Sequence, residues 1–268
     1  MSDKRDKNAL TEKEFLEQYT DEVYEKPSVT VDILVLTVDE SISKLKVLLV
    51  EREEHPFLGC YALPGGFIRP DETAYQAAAR KLQEETGLKD IYLDQIYTFT
   101  RPGRDPRGWV MSIAYLALVP EPIEGKAGAK WFDLDIKQGR IKLSNKEAFS
   151  DITYGIKDET FKNGRITYEN WVAGKVSEDG ISFDHIEIII ESILKLRGSF
   201  EHSDQAFNMV GETFTLPDLQ ALYELVLGKS LYKTNFRAMV APKIEATGGK
   251  IKSRTKGKLS VEYRYIEK

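Results

Sequence analysis

The chain has 268 residues, 41% of them apolar and 30% charged, with a net charge of −5. That is long for one compact fold, apolar enough for real cores, and too polar in pattern for a membrane span, since no apolar run approaches about 18 residues. One cysteine, Cys60, rules out an intrachain disulfide, and the three histidines His55, His185 and His202 are too scattered for a zinc site; together with the lack of a signal pattern this suggests a cytoplasmic protein without a membrane partner. The charge is unevenly spread: residues 229–268 hold eleven Lys and Arg against three Asp and Glu, a net of +8, which leaves −13 for the rest. An acidic body with a basic end points to two tasks.

In chain order, Thr11 and Glu14 form a capping box for a short helix reaching about Val23, and Pro27 ends this N-terminal arm, residues 1–26. Val29–Val38 and Leu45–Glu51 are apolar or alternating and predict two strands. Pro64-Gly65-Gly66 follows, then a predicted helix from about Glu72 to Thr86 that Gly87 stops. The two glycines can let the backbone approach a phosphate or a metal. Ala74, Ala77, Ala78 and Leu82 give the helix a small-residue face for packing on a sheet, with Arg80, Glu84 and Glu85 on or near another face. Clustered carboxylates beside a phosphate cleft suit magnesium, which bridges protein oxygens to phosphates and can activate water. Lys81 stands among them, and an ammonium there repels a divalent cation and can pair with Glu84 or Glu85.

Ile91–Thr98 and Val110–Val119 predict further strands, joined by the loop from Arg101 to Trp109; Arg104 and Arg107 on it are candidates for bidentate phosphate binding, or else for pairing with Asp105. Trp131-Phe132 opens another strand. Residues 137–180 read as a β-rich insertion, with a hairpin at Asn163-Gly164. Asp184–Leu196 has helical spacing, His185 within it being better suited to capping or packing than to catalysis, and Gly198–Asp204 reads as a polar linker.

The last segment, 205–268, has the pattern of a winged helix-turn-helix. Thr215-Leu216-Pro217-Asp218 caps one helix and Gly228 ends it; a second opens at Thr234 with Phe236, Met239 and Val240 inward. Lys233, Asn235 and Arg237 are then placed to reach base edges and phosphates of double-stranded DNA. A basic hairpin carrying Lys252, Arg254, Lys256 and Lys258 would serve as the wing and contact phosphates.

Gly66, Glu72, Arg80, Leu82, Glu84, Glu85, Gly87 and Leu88 fall in the register Gly-x5-Glu-x7-Arg-Glu-U-x-Glu-Glu-x-Gly-U, with U apolar, and so resemble a Nudix box. Lys81 alone departs from it, at a position where the family carries a glutamate. With Val29-Thr30-Val31-Asp32, Arg104-Asp105-Pro106-Arg107-Gly108, Phe183-Asp184-His185, Phe214-Thr215-Leu216 and Asn235-Phe236-Arg237, the chain resembles the Nudix-related transcriptional regulators of NAD metabolism.

The resemblance implies an α/β class: a Nudix α/β/α sandwich with a mixed sheet over 27–198, then the winged helix. It implies an ADP-ribose-like nucleotide or a sugar as effector, DNA as second partner, and a homodimer. Gly65, Gly66, Glu72, Arg80, Arg104 and Arg107 are the ligand-binding candidates. The alternative is a working pyrophosphatase, in which Glu84 and Glu85 hold magnesium, weakened by Lys81, and carry catalysis, with Glu121 or Glu124 as base.

Overall fold

The computed structural model describes residues 4–19, 24–123, 128–137, 139–148, 150–178 and 180–267. Helix α1, Glu12–Gln18, carries the expected Thr11/Glu14 capping box but ends at Gln18, five residues before the expected stop; its exposed surface gives it no packing to lengthen it.

A ten-stranded sheet forms the body. Its strands are β1 Ser28–Val38, β2 Leu45–Glu51, β3 Tyr61–Ala62, β4 Gly65–Phe67, β5 Tyr92–Phe99, β6 Val110–Leu118, β7 Ala129–Lys137, β8 Arg140–Asn145, β9 Ser150–Asn163 and β10 Ile166–Lys175. The order β10-β9-β8-β7-β2-β1-β6-β5 is mixed, because β1 runs parallel to β6 from Ser28↔Val110 to Leu36↔Leu118 and antiparallel to β2. Strands β8 to β10, within the 137–180 stretch, continue this sheet outward from β7. The β9–β10 hairpin turns on Gly164-Arg165, one residue later than Asn163-Gly164, with Gly164 at φ +60°.

β1 lies at the centre and is apolar on both faces, as a doubly covered strand must be. Val31, Ile33 and Val35 pack with Ala77, Ala78 and Leu82 of α2, Ala74–Thr86. Leu34, Leu36 and Val38 pack with Ile186, Ile189 and Ile193 of α3, His185–Phe200. The small alanines of α2 let its axis approach the sheet. α2 begins at Ala74, two residues after the expected start, with Thr73 as its cap in a box with Gln76, and Gly87 ends it in the left-handed conformation.

The C-terminal unit has β11 Phe214–Thr215, α4 Leu216–Leu227, α5 Lys233–Val240, β12 Ile244–Lys252 and β13 Leu259–Tyr265, with sheet order β11-β13-β12. Thr215 caps α4 and Gly228 closes it at φ +68°. α5 starts one residue before Thr234. In place of the expected linker at 198–204, α3 runs on to Phe200, which is fully buried. Phe200 meets Tyr223 of α4 at 4.9 Å between ring centroids, and one apolar core runs from β1 through α3 into Leu219, Leu222, Phe236 and Val240. Among the described residues no helix is long and apolar enough to cross a membrane.

Candidate functional site

The glycine loop is built against β1. Gly65 and Gly66 of β4 pair with Asp32 and Val31. A Cβ on Gly65 would stand 2.5 Å from both the Asp32 carboxylate and the Val31 carbonyl, so the close backbone approach expected of this loop is made to β1. At Gly66 the near neighbour is the aliphatic stem of Lys81, whose Cδ and Cε would lie 3.1 and 3.2 Å from an added Cβ.

Glu72 and Arg80, expected to bind ligand, instead brace loop against helix. Glu72 accepts the Arg69 N–H at 2.9 Å and takes the Arg80 guanidinium along one edge, with Nε at 2.9 Å; Arg80 also reaches the Phe67 carbonyl at 3.2 Å. The Arg80 bond holds the Glu72 carboxyl down at about 2.

Lys81 lies between Glu84 and Glu85. Its ammonium donates to Glu84 Oε2 at 3.0 Å and Glu85 Oε1 at 3.1 Å. Burial works to lower the Lys81 pKa, but the two carboxylates outweigh it and the value stands above that of an ordinary lysine. The Lys81 bond holds Glu84 below the usual carboxylate range, with burial opposing. A divalent ion using these oxygens would have to share them with the ammonium, and the two cations repel each other. Among the described residues no group of three or more His, Cys, Asp or Glu could hold a metal. The donor set therefore does not fit the magnesium of a Nudix hydrolase. Of the two candidate bases, Glu121 is exposed and lies three residues past the end of β6, seven beyond Ala114, the residue level with Asp32. Glu124 lies outside the described residues.

Arg104, expected to bind phosphate, faces inward. Its side chain is 3% exposed, and it donates Nε and Nη2 to the two oxygens of Asp184 at 2.9 and 2.6 Å. With Asp32 3.7 Å from Nη2, the guanidinium is committed to internal charges and is not a phosphate ligand. His185 completes the cluster in the packing role expected of it. Its Nδ1 accepts the Leu63 N–H at 3.0 Å, so the neutral ring carries its proton on Nε2, 3.5 Å from Asp32 Oδ1. Burial pushes its pKa down. Ser112 donates its hydroxyl to Asp32 from the neighbouring strand.

Arg107 stays at the surface of this cluster. It pairs with Asp105 at 2.7 Å and lies over the rings of Phe67 and Phe183, 5.3 Å from each centroid. Arg52, just after β2, covers Phe183 at 4.9 Å, and Phe57 meets Phe183 edge to face at 4.8 Å. Phe57 and Phe183 both hold positive φ, +65° and +55°, a conformation that costs a bulky residue of order 1 kcal/mol or more and often marks a working site. Two guanidinium groups among three aromatic rings offer stacking surface and positive charge to a nucleotide. Arg52, Phe57 and Phe67 carried no signal in the sequence. Phe183 and Asp184 lie in a segment that carries the family resemblance, and the sequence alone gives neither a role.

In the C-terminal unit Lys233, Asn235 and Arg237 are exposed on α5, and Lys252, Lys256 and Lys258 are exposed on or beside the β12–β13 hairpin. Arg254 differs. Its guanidinium donates to the carbonyls of Asp39 and Glu40, both at 2.9 Å, in the β1–β2 turn. It links the wing loop to the body through two of its guanidinium nitrogens. On its other side the loop is held by Asp218, which accepts Ser253 Oγ and the Arg254 and Thr255 N–H groups.

Comparison with known proteins fits both halves. The NUDIX domain family matches residues 26–150 and the NrtR DNA-binding winged helix domain family matches 206–265. A solved structure of a MutT/nudix family protein from Enterococcus faecalis is 31% identical, with a TM-score of 0.77 over 96% of this chain and 94% of that one. The chain belongs to the Nudix family. Within this family, Shewanella oneidensis NrtR is 28% identical over 89% of the chain and 94% of its own, with a TM-score of 0.63, and 0.59 in its complex with a 27mer DNA. The ADPR responsive transcriptional repressor NtrR of Acinetobacter baylyi is 28% identical over 232 residues, 86% of this chain and 78% of that relative.

Proposed function

We propose that this Nudix protein is a transcriptional regulator that binds an ADP-ribose-like nucleotide beside its box and double-stranded DNA through its winged helix. The observation that carries the reading is Lys81 seated between Glu84 and Glu85, in a box otherwise complete, on a body that shares one core with the winged helix. A site that retains the shape of a nucleotide-processing box but spends its carboxylates on an internal lysine is suited to sensing. A basic helix bearing Lys233, Asn235 and Arg237 is suited to the major groove.

Arg52, Arg107 and the rings of Phe57, Phe67 and Phe183 supply the contacts an ADP-ribose-like ligand needs: a stacking surface for the base and guanidinium groups for the diphosphate. The likeness to the Acinetobacter baylyi repressor supports the same effector, and the reading includes a role in NAD metabolism, as the family resemblance implies. By the family resemblance the reading includes a homodimer, whose two-fold symmetry would match a palindromic operator. No hydrolytic step is assigned, because the donor set does not fit the metal such a step needs.

The test is selection of binding sites from random duplex DNA by the full chain, then titration of the selected duplex with ADP-ribose. Enrichment of a defined sequence whose affinity changes with ADP-ribose is expected. No enriched sequence, or an affinity indifferent to ADP-ribose, overturns the reading.

A further inference from the structure

We propose that Lys81 takes the place of the divalent metal, so that the diphosphate of the effector is bound without any metal ion. The inference rests on the effector reading above and specifies how that site works.

Three features of the geometry carry it. The ammonium sits 3.0 and 3.1 Å from Glu84 Oε2 and Glu85 Oε1, the box oxygens a cation would use. The Lys81 stem is pressed under Gly66, and its side chain is 17% exposed, so it is held within the box and not swung into solvent. An ammonium has three donors, and two serve the glutamates, which leaves one for a phosphate oxygen.

The charges follow the same logic. Glu84 and Glu85 alone would repel a diphosphate, and a metallated box removes that repulsion with a divalent ion. Here a tethered charge reduces it; Arg52 adds positive charge beside Phe183, and Arg107, although paired with Asp105, keeps an exposed guanidinium over Phe67, the residue next to Gly66. A tethered ammonium neither activates water nor leaves with the product. It suits a ligand that is held and released intact: a nucleoside diphosphate compound joined to a second group.

The experiment is calorimetric titration of the full chain with ADP-ribose, once with EDTA and once with magnesium. The two dissociation constants are expected to agree within about threefold. In parallel, Lys81→Glu, which restores the family's box residue, is expected to bind ADP-ribose at least about tenfold more weakly in EDTA than in magnesium, and to bind Mn²⁺ detectably by electron paramagnetic resonance where the wild type does not. Lys81→Gln removes the charge without rebuilding the box. It is expected to lose affinity in both buffers, and with the wild-type comparison it decides the matter if Lys81→Glu does not fold. Wild-type binding that appears only with magnesium, or Mn²⁺ held by the wild type as tightly as by Lys81→Glu, overturns the inference and leaves the effector reading standing. No wild-type binding in either buffer removes the effector reading and the inference with it.

Discussion

Arg104 and Asp184 meet edge to edge in the interior, 2.6 and 2.9 Å apart along two parallel bonds, with side chains 3% and 2% exposed. The pair fastens the β5–β6 loop to the first turn of α3, and Asp32 beside it extends the charge cluster to β1. Breaking such a pair from one side leaves a buried charge with no partner, which costs about 3–5 kcal/mol. Arg104→Ala is therefore expected to lower stability by that order, read as a fall in the urea midpoint. A variant as stable as wild type would show that the cluster is hydrated and not buried.

Gly65 and Gly66 separate two reasons for a glycine. A methyl group at 65 meets the Val31 carbonyl and the Asp32 side chain at 2.5 Å, in a strand that cannot move away from its partner. Gly65→Ala is expected to cost about 1–3 kcal/mol, as overpacking does. Gly66→Ala meets only the flexible stem of Lys81 at 3.1 Å and should cost clearly less. Thermal melts of the two variants check the order, and a reversed order contradicts the register of β4 on β1.

How far such features can be read in the sequence depends on how local they are. The box helix, the Thr215 cap and the two helices of the winged unit were legible because periodicity, caps and glycine stops act within a few residues. The pairing of Lys81 with Glu84 and Glu85 was legible for the same reason, since i,i+3 and i,i+4 neighbours share a face. The inward turn of Arg104 is not legible, because its partner Asp184 lies 80 residues away and a loop arginine near a phosphate site has the same local signature whether it faces in or out. The end of α3 was misplaced because Gly198 and Ser199 are weak helix residues, whereas burial of Phe200 against Tyr223 carries the helix through them.

His185 ties stability to pH. Burial depresses its folded-state pKa below the ordinary value of about 6.5. The unfolded chain therefore binds the proton more readily. The His185 contribution is fully present above about pH 6.5 and is lost as pH falls below it, with a slope of up to about 1.4 kcal/mol per pH unit for one proton. Denaturation midpoints between pH 5 and 8 are expected to show this decline. In His185→Asn, whose side-chain oxygen can still accept the Leu63 N–H, the decline should shrink. An unaltered pH profile in that variant would assign the slope to other groups.

On α5 and the wing, two kinds of contact should separate by their salt response. Arg237→Ala is expected to weaken binding to a selected duplex by about 1–3 kcal/mol, with loss of discrimination at one base position. Lys256→Ala, placed for phosphate, should weaken all sequences alike and reduce the salt slope by about 1. Filter-binding at several salt concentrations distinguishes the two. Equal slopes and equal discrimination in both variants would place neither residue at DNA.

Arg254 joins the wing loop to the body, and its removal tests whether the two halves communicate. The turn it grips is internally stiff: Asp39 accepts the Ser43 and Lys44 N–H groups and the Ser41 hydroxyl, which together hold its carboxyl at about 2 although burial opposes them. That turn is the end of β1, the strand that carries Asp32 beside the box. The wing loop is stiff in its turn through Asp218. Arg254→Ala disconnects two ordered turns without touching the shared apolar core, so the melting temperature should stay within a few degrees of wild type. Arg254→Lys should behave similarly, because a single ammonium does not reproduce the planar fork. What should change is the ratio of DNA affinities with and without ADP-ribose, which is expected to move toward one. An unchanged ratio in both variants would assign the communication to α3, which runs from Asp184 beside the box to Phe200 in the core of the winged helix, and not to the strand and its latch.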